Sequence, residues 1–312
     1  EHNIKQIRAR VGDRKIMAIV KANAYGHGIY EVTQKAVRSG VDYIGVGFLE
    51  EALFLRQEDI DAPILVMGGI LGYQVKKFVQ NDLDITVSSL ELAHHINDEI
   101  KNQKARVHLK IDTGMERIGV TYKQAVEFVR RVAMLPNIEI VGLYSHFATA
   151  DEENLSFAYT QFERYCEIVD AVKKLGIEIP VKHIANSGAV MNLDSTYVDM
   201  VRPGISLYGM YPSRFVQSDI QLKPALSLKS KVVFIKRVPS GTGVSYGHKY
   251  ITPYDCNIVT VPIGYGDGYT RLLTNKADVL IRGKRYPVVG AVCMDQLMAN
   301  VGDDRVDIGD EV

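Results

Sequence analysis

Near its start the chain reads Ile16-Met17-Ala18-Ile19-Val20-Lys21-Ala22-Asn23-Ala24-Tyr25-Gly26-His27-Gly28. The five uninterrupted apolar residues Ile16 to Val20 suit a strand buried on both faces, as in a parallel sheet covered by helices. Lys21 follows at the C-terminal end of that strand. A lysine leaving an apolar strand is expected to be partly desolvated, which disfavours an ammonium and favours an amine able to form a Schiff base. Ala22, Ala24, Gly26 and Gly28 are small and would let the backbone approach a bound molecule closely. Tyr25 and His27 bring a hydroxyl and an imidazole to the same rim.

Outward from this stretch, apolar runs and helical periodicity alternate. A helix is expected from Glu1 to Val11, with Ile4, Ile7 and Val11 on one face. Strands follow at 43–46, 64–67, 85–87, 107–111, 138–144 and 181–185, and an eighth ends at Met200-Val201. Between them come helices at 31–39 (stopped by Gly40), 49–56, 74–79, 90–100, 123–133 and 155–175, with another opening at Asn186-Ser187-Gly188. Such alternation fits an α/β fold of the (β/α)8 TIM-barrel type. A doubly wound sheet would usually carry a glycine-rich dinucleotide turn after its first strand, and none is present. Lys21, Arg117, His146, Ser187 and Arg202 all come just after strands, on the face where barrel active sites lie.

The pattern changes near Leu222. Leu226 to Val238 alternates, and short strands punctuated by Gly or Pro are expected at 258–263, 279–281, 288–289 and 297–301. We read residues 1–222 as the barrel and 223–312 as a smaller, mostly β C-terminal domain.

Composition narrows the functional classes. The net charge is zero, so no broad basic surface for nucleic acid is implied. No apolar run approaches the roughly 18 residues of a membrane span, and no charged-then-apolar leader opens the sequence. Cys166, Cys256 and Cys293 are far apart and odd in number, which makes neither a disulfide framework nor a zinc pattern and suits a reducing cytoplasm. No metal site is expected. His94 and His95 point in different directions on a helix, and Asp151-Glu152-Glu153 reads as a solvated loop or helix start.

The unbroken string from Val20 to Gly28 closely resembles the lysine motif of alanine racemases, a family of pyridoxal 5'-phosphate (PLP) enzymes. The resemblance covers nearly the whole chain. It includes Asp112 to Gly119, Ser145-His146-Phe147, Asn186-Ser187-Gly188, Arg202-Pro203-Gly204-Ile205, Ser245-Tyr246-Gly247, Gly264 to Gly268 and Cys293-Met294-Asp295. It implies that Lys21 holds PLP as an internal aldimine and that Arg202 faces the pyridine nitrogen. Tyr25, Ser187, Gly204 and Ile205 would cradle the phosphate. Racemisation needs a base on each face of Cα. By resemblance these are Lys21 for D-alanine and Tyr246 of a partner subunit for L-alanine. A tyrosine's ordinary pKa of about 10 makes it a poor base at neutral pH, so cations must help, and His146 backed by Arg202 is the family's arrangement.

The same resemblance assigns the substrate carboxylate to Arg117 and the Met294 N–H, and makes Lys110 a site of possible carbamylation. Tyr265 would stand at the entrance beside Tyr246, and Asp295 near the channel. Ala291 stands where relatives often carry arginine. The family normally has a strand before the helix at Glu1 and, after Val312, a β segment with another phosphate-binding tyrosine. The implied protein is a cytoplasmic homodimer that interconverts L- and D-alanine and supplies D-alanine for peptidoglycan. The alternatives are a broad-specificity or serine racemase of the same fold, a decarboxylase, and a PLP carrier without turnover. Arg202 argues against decarboxylation, and the second domain argues against the single-domain carriers.

Overall fold

Each short apolar run of the first part of the chain becomes a parallel strand. In the computed structural model, which describes residues 1–216 and 219–312, the strands are β1 (Lys15–Ile19), β2 (Tyr43–Val46), β3 (Ile64–Val66), β4 (Asp84–Val87), β5 (Ala105–Asp112), β6 (Ile138–Tyr144), β7 (Val181–His183) and β8 (Met200–Val201). Neighbours in space follow the order of the chain, and both β8–β1 and β4–β5 pair in parallel, so the sheet closes on itself. The expected barrel is therefore present. Helices His2–Val11, Ile29–Arg38, Leu49–Gln57, Val75–Gln80, Leu90–Glu99, Ala125–Val132, Ser156–Lys174 and Ser187–Asn192 accompany the strands. Two compact units divide the chain at Leu226–Ser227.

Strand alternation decides what lies inside and outside the barrel. On β1, Ile16 and Ala18 join the large core shared with the helices, which includes Ile4, Ile7 and Val11. Met17 and Ile19 instead meet Tyr43, Leu65, Val181 and Met200 in a separate apolar cluster. Asp84, Thr86, His108, Lys110, His183 and Arg202 are also buried, so the barrel unit encloses an unusual amount of polar chemistry.

The backbone after β1 departs from anything the residues announced. Ala22, Asn23, Ala24 and Tyr25 have φ of 53°, 53°, 53° and 55°, a left-handed helical turn. Each such L-residue costs roughly 1–2 kcal/mol against the right-handed form. Local hydrogen bonds hold the turn. Glu51 Oε1 accepts from the Ala22 N–H at 2.6 Å, and its Oε2 accepts from the Gly47 N–H at 2.8 Å. Asn23 Oδ1 accepts from the Ile29 N–H at 2.9 Å. The small residues therefore permit a backbone inversion directly beside Lys21.

In the second unit, Phe234–Val238, Cys256–Val261 and Leu297–Gly302 form an antiparallel sheet. Gly243–Val244 pairs with Tyr250–Ile251, and Asp278–Ile281 with Lys284–Pro287. Two expectations need correcting. The alternation from Leu226 yields a strand only from Phe234, because before it only Lys231 makes a bridge, to Glu311. Val288-Val289 is not a strand; Val288 makes a single bridge to Ala299.

Gly142 on β6 stands where a side chain has no room. A Cβ there would lie 2.0 Å from His108 Nδ1. The imidazole is bonded through both nitrogens and cannot easily move aside. Gly142→Ala should lower stability by about 1–3 kcal/mol, the usual penalty of overpacking. An unchanged urea midpoint would show that the ring yields freely.

Candidate active site

The C-terminal ends of the barrel strands surround a cavity of about 660 Å³. Lys21, Tyr25, Lys110, Arg117, His146, Ser187, Arg202, Gly204 and Ile205 all line it. Residues from distant parts of the sequence thus converge because each follows, or ends, a strand of one closed sheet. Lys21 is exposed at this mouth, against the expectation of partial desolvation. The strand before it is buried, but the left-handed turn carries the chain away from the core.

Arg202 is 2% exposed and lies just past β8. Its Nη2 has three acceptors for two hydrogens, the Ser145 and Ile184 carbonyls at 2.7 and 3.0 Å and His146 Nδ1 at 3.0 Å, so at least one hydrogen is shared. Its Nη1 donates to His183 Nδ1 at 2.9 Å. Its Nε is buried and has no hydrogen-bond partner. Burial pulls the guanidinium down to about 10, so it stays charged at neutral pH. Burial, followed by the Arg202 charge, pushes His146 well below its ordinary range and keeps it neutral. The positive charge at this corner therefore sits on the guanidinium and not on the imidazole.

The same cavity holds an anion cradle. Asn186 Oδ1 caps the short helix by accepting from the Ala189 N–H at 3.0 Å, which leaves Ser187 as its first residue. Ser187 Oγ accepts from the Gly204 N–H at 2.8 Å and from Ser206 Oγ at 3.1 Å. The first N–H groups of the helices at Ser187 and Ile205 have no intrahelical acceptor. A Cβ on Gly204 would lie 2.7 Å from the Tyr25 hydroxyl, so any larger residue would displace that hydroxyl.

Lys110, on β5, is buried with Nζ 4.6 Å from the Tyr144 ring centre. Burial, then the charges of Arg202 and Arg117, pushes its pKa well below the ordinary lysine range, with Asp112 opposing. Asp112 accepts from the Gly114 and Met115 N–H groups at 2.8 and 2.9 Å and from the Arg117 N–H at 3.2 Å, which shapes the loop that carries Arg117. Burial works against ionising Asp112, but these backbone bonds outweigh it and hold the carboxyl below its usual range.

Tyr246, Tyr265 and Met294 belong to the second unit. There Tyr265 N–H donates to the Cys293 carbonyl at 3.0 Å and Gly266 N–H to the Met294 carbonyl at 2.8 Å. Ser245 Oγ donates to the Ala291 carbonyl at 2.7 Å, which gathers the three segments into one corner. Ser245 has φ 61° and ψ −171°, a region that side chains avoid. The following Tyr246 is 72% exposed.

Sequence reading overlooked several residues here. Asp151, assigned to a solvated loop, lines the cavity. Glu51 braces the turn after Lys21. Asp84, His108 and His183 are buried behind Arg202. The signal for the histidines was a polar residue inside an apolar strand, as in Val107-His108-Leu109.

A parallel barrel whose strand-end cavity holds a lysine, a buried arginine and an anion cradle defines an enzyme of the TIM-barrel class acting on a small polar molecule. Comparison with known proteins is more specific. Residues 1–212 match the family model for the alanine racemase N-terminal domain, and 225–312 that for the C-terminal domain. The chain is 47% identical to alanine racemase 2 of Caldanaerobacter subterraneus subsp. tengcongensis, over all of this chain and 81% of that protein. It is 44% identical to the alanine racemase of Halothermothrix orenii, over all of this chain and 83% of that protein. Among solved structures, alanine racemase from Clostridium difficile 630 superposes with a TM-score of 0.90 at 41% identity, covering 99% of this chain and 82% of that one. The Streptomyces lavendulae alanine racemase gives 0.92 at 33%, with 99% and 83% coverage. The chain belongs to the alanine racemase family of isomerases.

His108 and His183 are fully buried, and burial holds both below the ordinary histidine range. Below about pH 6.5 the unfolded chain binds protons at these positions and the folded chain does not, so stability must fall as pH falls. Two such histidines give a slope of about 3 kcal/mol per pH unit. Urea unfolding between pH 7 and 5 measures it, and a flat profile there would contradict their neutral burial.

Proposed function

We propose that this protein interconverts L- and D-alanine using PLP bound at Lys21, as a cytoplasmic homodimer whose product feeds peptidoglycan. The observation that carries the reading is the orphaned Arg202 Nε inside the lysine-lined cavity. A buried N–H without an acceptor is costly, and a ring nitrogen lone pair would satisfy it. The Ser187 and Tyr25 hydroxyls, and the Ser187 and Ile205 N–H groups that open their helices without an intrahelical acceptor, suit a phosphate dianion. Lys21 supplies the amine that would hold the group. The residues therefore fit PLP.

When bound, PLP supplies an electron sink that makes the α-hydrogen of an amino acid acidic. Each other task falls to the protein. Arg202 would offer its free Nε–H to the ring nitrogen and would keep its own proton, since its pKa stays far above neutrality. A ring nitrogen left unprotonated in this way would make a weaker sink, which would favour return of the proton to Cα. Lys21 takes or returns the proton on one face. Tyr246 of a second copy does so on the other, and its exposure on a strained turn suits a residue that must reach another chain. Neutral His146 accepts from Arg202 at Nδ1, which leaves its Nε2–H to stabilise a phenolate.

Arg117, at the barrel cavity, holds the substrate carboxylate; to the second copy that brings Tyr246 we assign the Met294 N–H as a further carboxylate contact and Tyr265 at the entrance. Lys110 meets the requirement for carbamylation: its neutral amine attacks CO2 and releases a proton, and the resulting anion would orient Arg117.

Alanine incubated in D2O with protein and PLP should become deuterated at Cα and invert, while serine reacts far more slowly. Equal rates would favour the broad-specificity alternative, and absence of exchange would refute the activity. Lys21→Ala should lose the visible absorbance of lysine-bound PLP. Tyr246→Phe should slow exchange from the two alanine enantiomers unequally, and near-normal symmetric exchange would exclude it as a base.

A further inference from the structure

Behind Arg202 a line of hydrogen bonds crosses the barrel unit. Arg106 on β5, partly exposed, donates from Nε to Asp84 Oδ1 at 2.7 Å, and the Tyr43 hydroxyl donates to Asp84 Oδ2 at 3.1 Å. Asp84 Oδ2 lies 3.2 Å from His108 Nε2, and His108 Nδ1 lies 2.9 Å from His183 Nε2. His183 Nδ1 ends the line 2.9 Å from Arg202 Nη1.

Only one placement of protons satisfies every link. A guanidinium can only donate, so His183 Nδ1 must accept and its proton sits on Nε2. That Nε2–H donates to His108 Nδ1, so the His108 proton also sits on Nε2 and donates to Asp84. An ionised carboxylate can only accept, and both ends of the line therefore demand the same polarity. An imidazolium at either histidine would set two donors face to face. Burial and the nearby Arg202 charge keep His183 neutral. The bonds from His108 and Arg106 hold Asp84 below its usual range although burial opposes this.

We propose that Asp84 and His108 are positioning residues for Arg202: through His183 they fix the lone pair that the guanidinium must meet, and so hold its free Nε–H in place for a ring nitrogen. The inference rests on the PLP reading above. The Tyr144 ring stacks on His183 with centres 4.7 Å apart and planes 2° apart, which fixes the imidazole plane. Buried ionic groups stabilise little for their desolvation cost, and their best-attested use is to specify one arrangement among several.

The test is ¹⁵N-histidine NMR of the protein without PLP, followed by titration with PLP labelled with ¹⁵N in its ring. Both imidazoles should be neutral with the proton on Nε2 between about pH 6 and 8. Asp84→Asn keeps its carbonyl oxygen toward the Arg106 donor, so its amide N–H faces His108 Nε2 and removes the acceptor that fixes the polarity at this end, which lets the reversed tautomers be populated. The variant should show Nδ1 protons, a shifted ring-nitrogen resonance, and kcat lower on the order of tenfold with KM for alanine nearly unchanged. Arg106→Gln, at a partly exposed side chain, should move the same signals less and in the same direction.

A proton on Nδ1 of either histidine in the unaltered protein would overturn the proposal. So would an Asp84→Asn variant whose ring-nitrogen resonance and kcat are unchanged. If PLP fails to bind while the Nε2 pattern holds, the PLP reading falls and the link to catalysis falls with it.

Discussion

A guanidinium enclosed within a barrel must be answered on every N–H, and much of the barrel unit's polar chemistry follows from that requirement. Arg202 draws two backbone carbonyls and two imidazoles around it. Its charge helps to keep His146 and His183 neutral and helps to push Lys110 toward the free amine. Nε, the one guanidinium nitrogen with no partner at all, is the most informative atom in the site, because a buried N–H without an acceptor points to a missing one.

A second constraint acts at Lys21, in the same cavity. Lys21 must leave a buried strand and present its amine to an open cavity. The left-handed turn from Ala22 to Tyr25 achieves this, at a backbone cost that Glu51 and Asn23 offset with hydrogen bonds to main-chain N–H groups. The same turn brings the Tyr25 hydroxyl against Gly204, so strain near the lysine and the shape of the anion cradle are linked. The second unit repeats the device on a smaller scale, with Ser245 strained immediately before the exposed Tyr246.

Much of this was legible in the residues. The barrel strands announced themselves as short apolar runs, since burial on both faces leaves little room for polar side chains. Lys21, Arg117, His146, Ser187 and Arg202 were legible because barrel chemistry gathers where strands end. The left-handed turn was not, because alanine and tyrosine carry no preference for positive φ and only tertiary hydrogen bonds enforce it. Strand limits in the second unit were blurred for a similar reason. Leu226 to Val233 alternates as a strand does, yet its pairing is confined to Ser230–Val233, with one bridge at Lys231, and periodicity does not reveal how far pairing extends.

The sequence by itself determined the alternation of strands and helices, the β-rich second unit and the kinds of side chain that crowd the strand ends. Local preference and periodic burial act over a few residues, and a linear pattern records them. Only the closed barrel decided that Asp84, His108, His183 and Arg202, from four separate strand regions, share one hydrogen-bonded line with one polarity. It also decided that the Arg202 Nε is left without a partner. Such facts depend on distances across a sheet that meets itself, and no local rule of sequence encodes them.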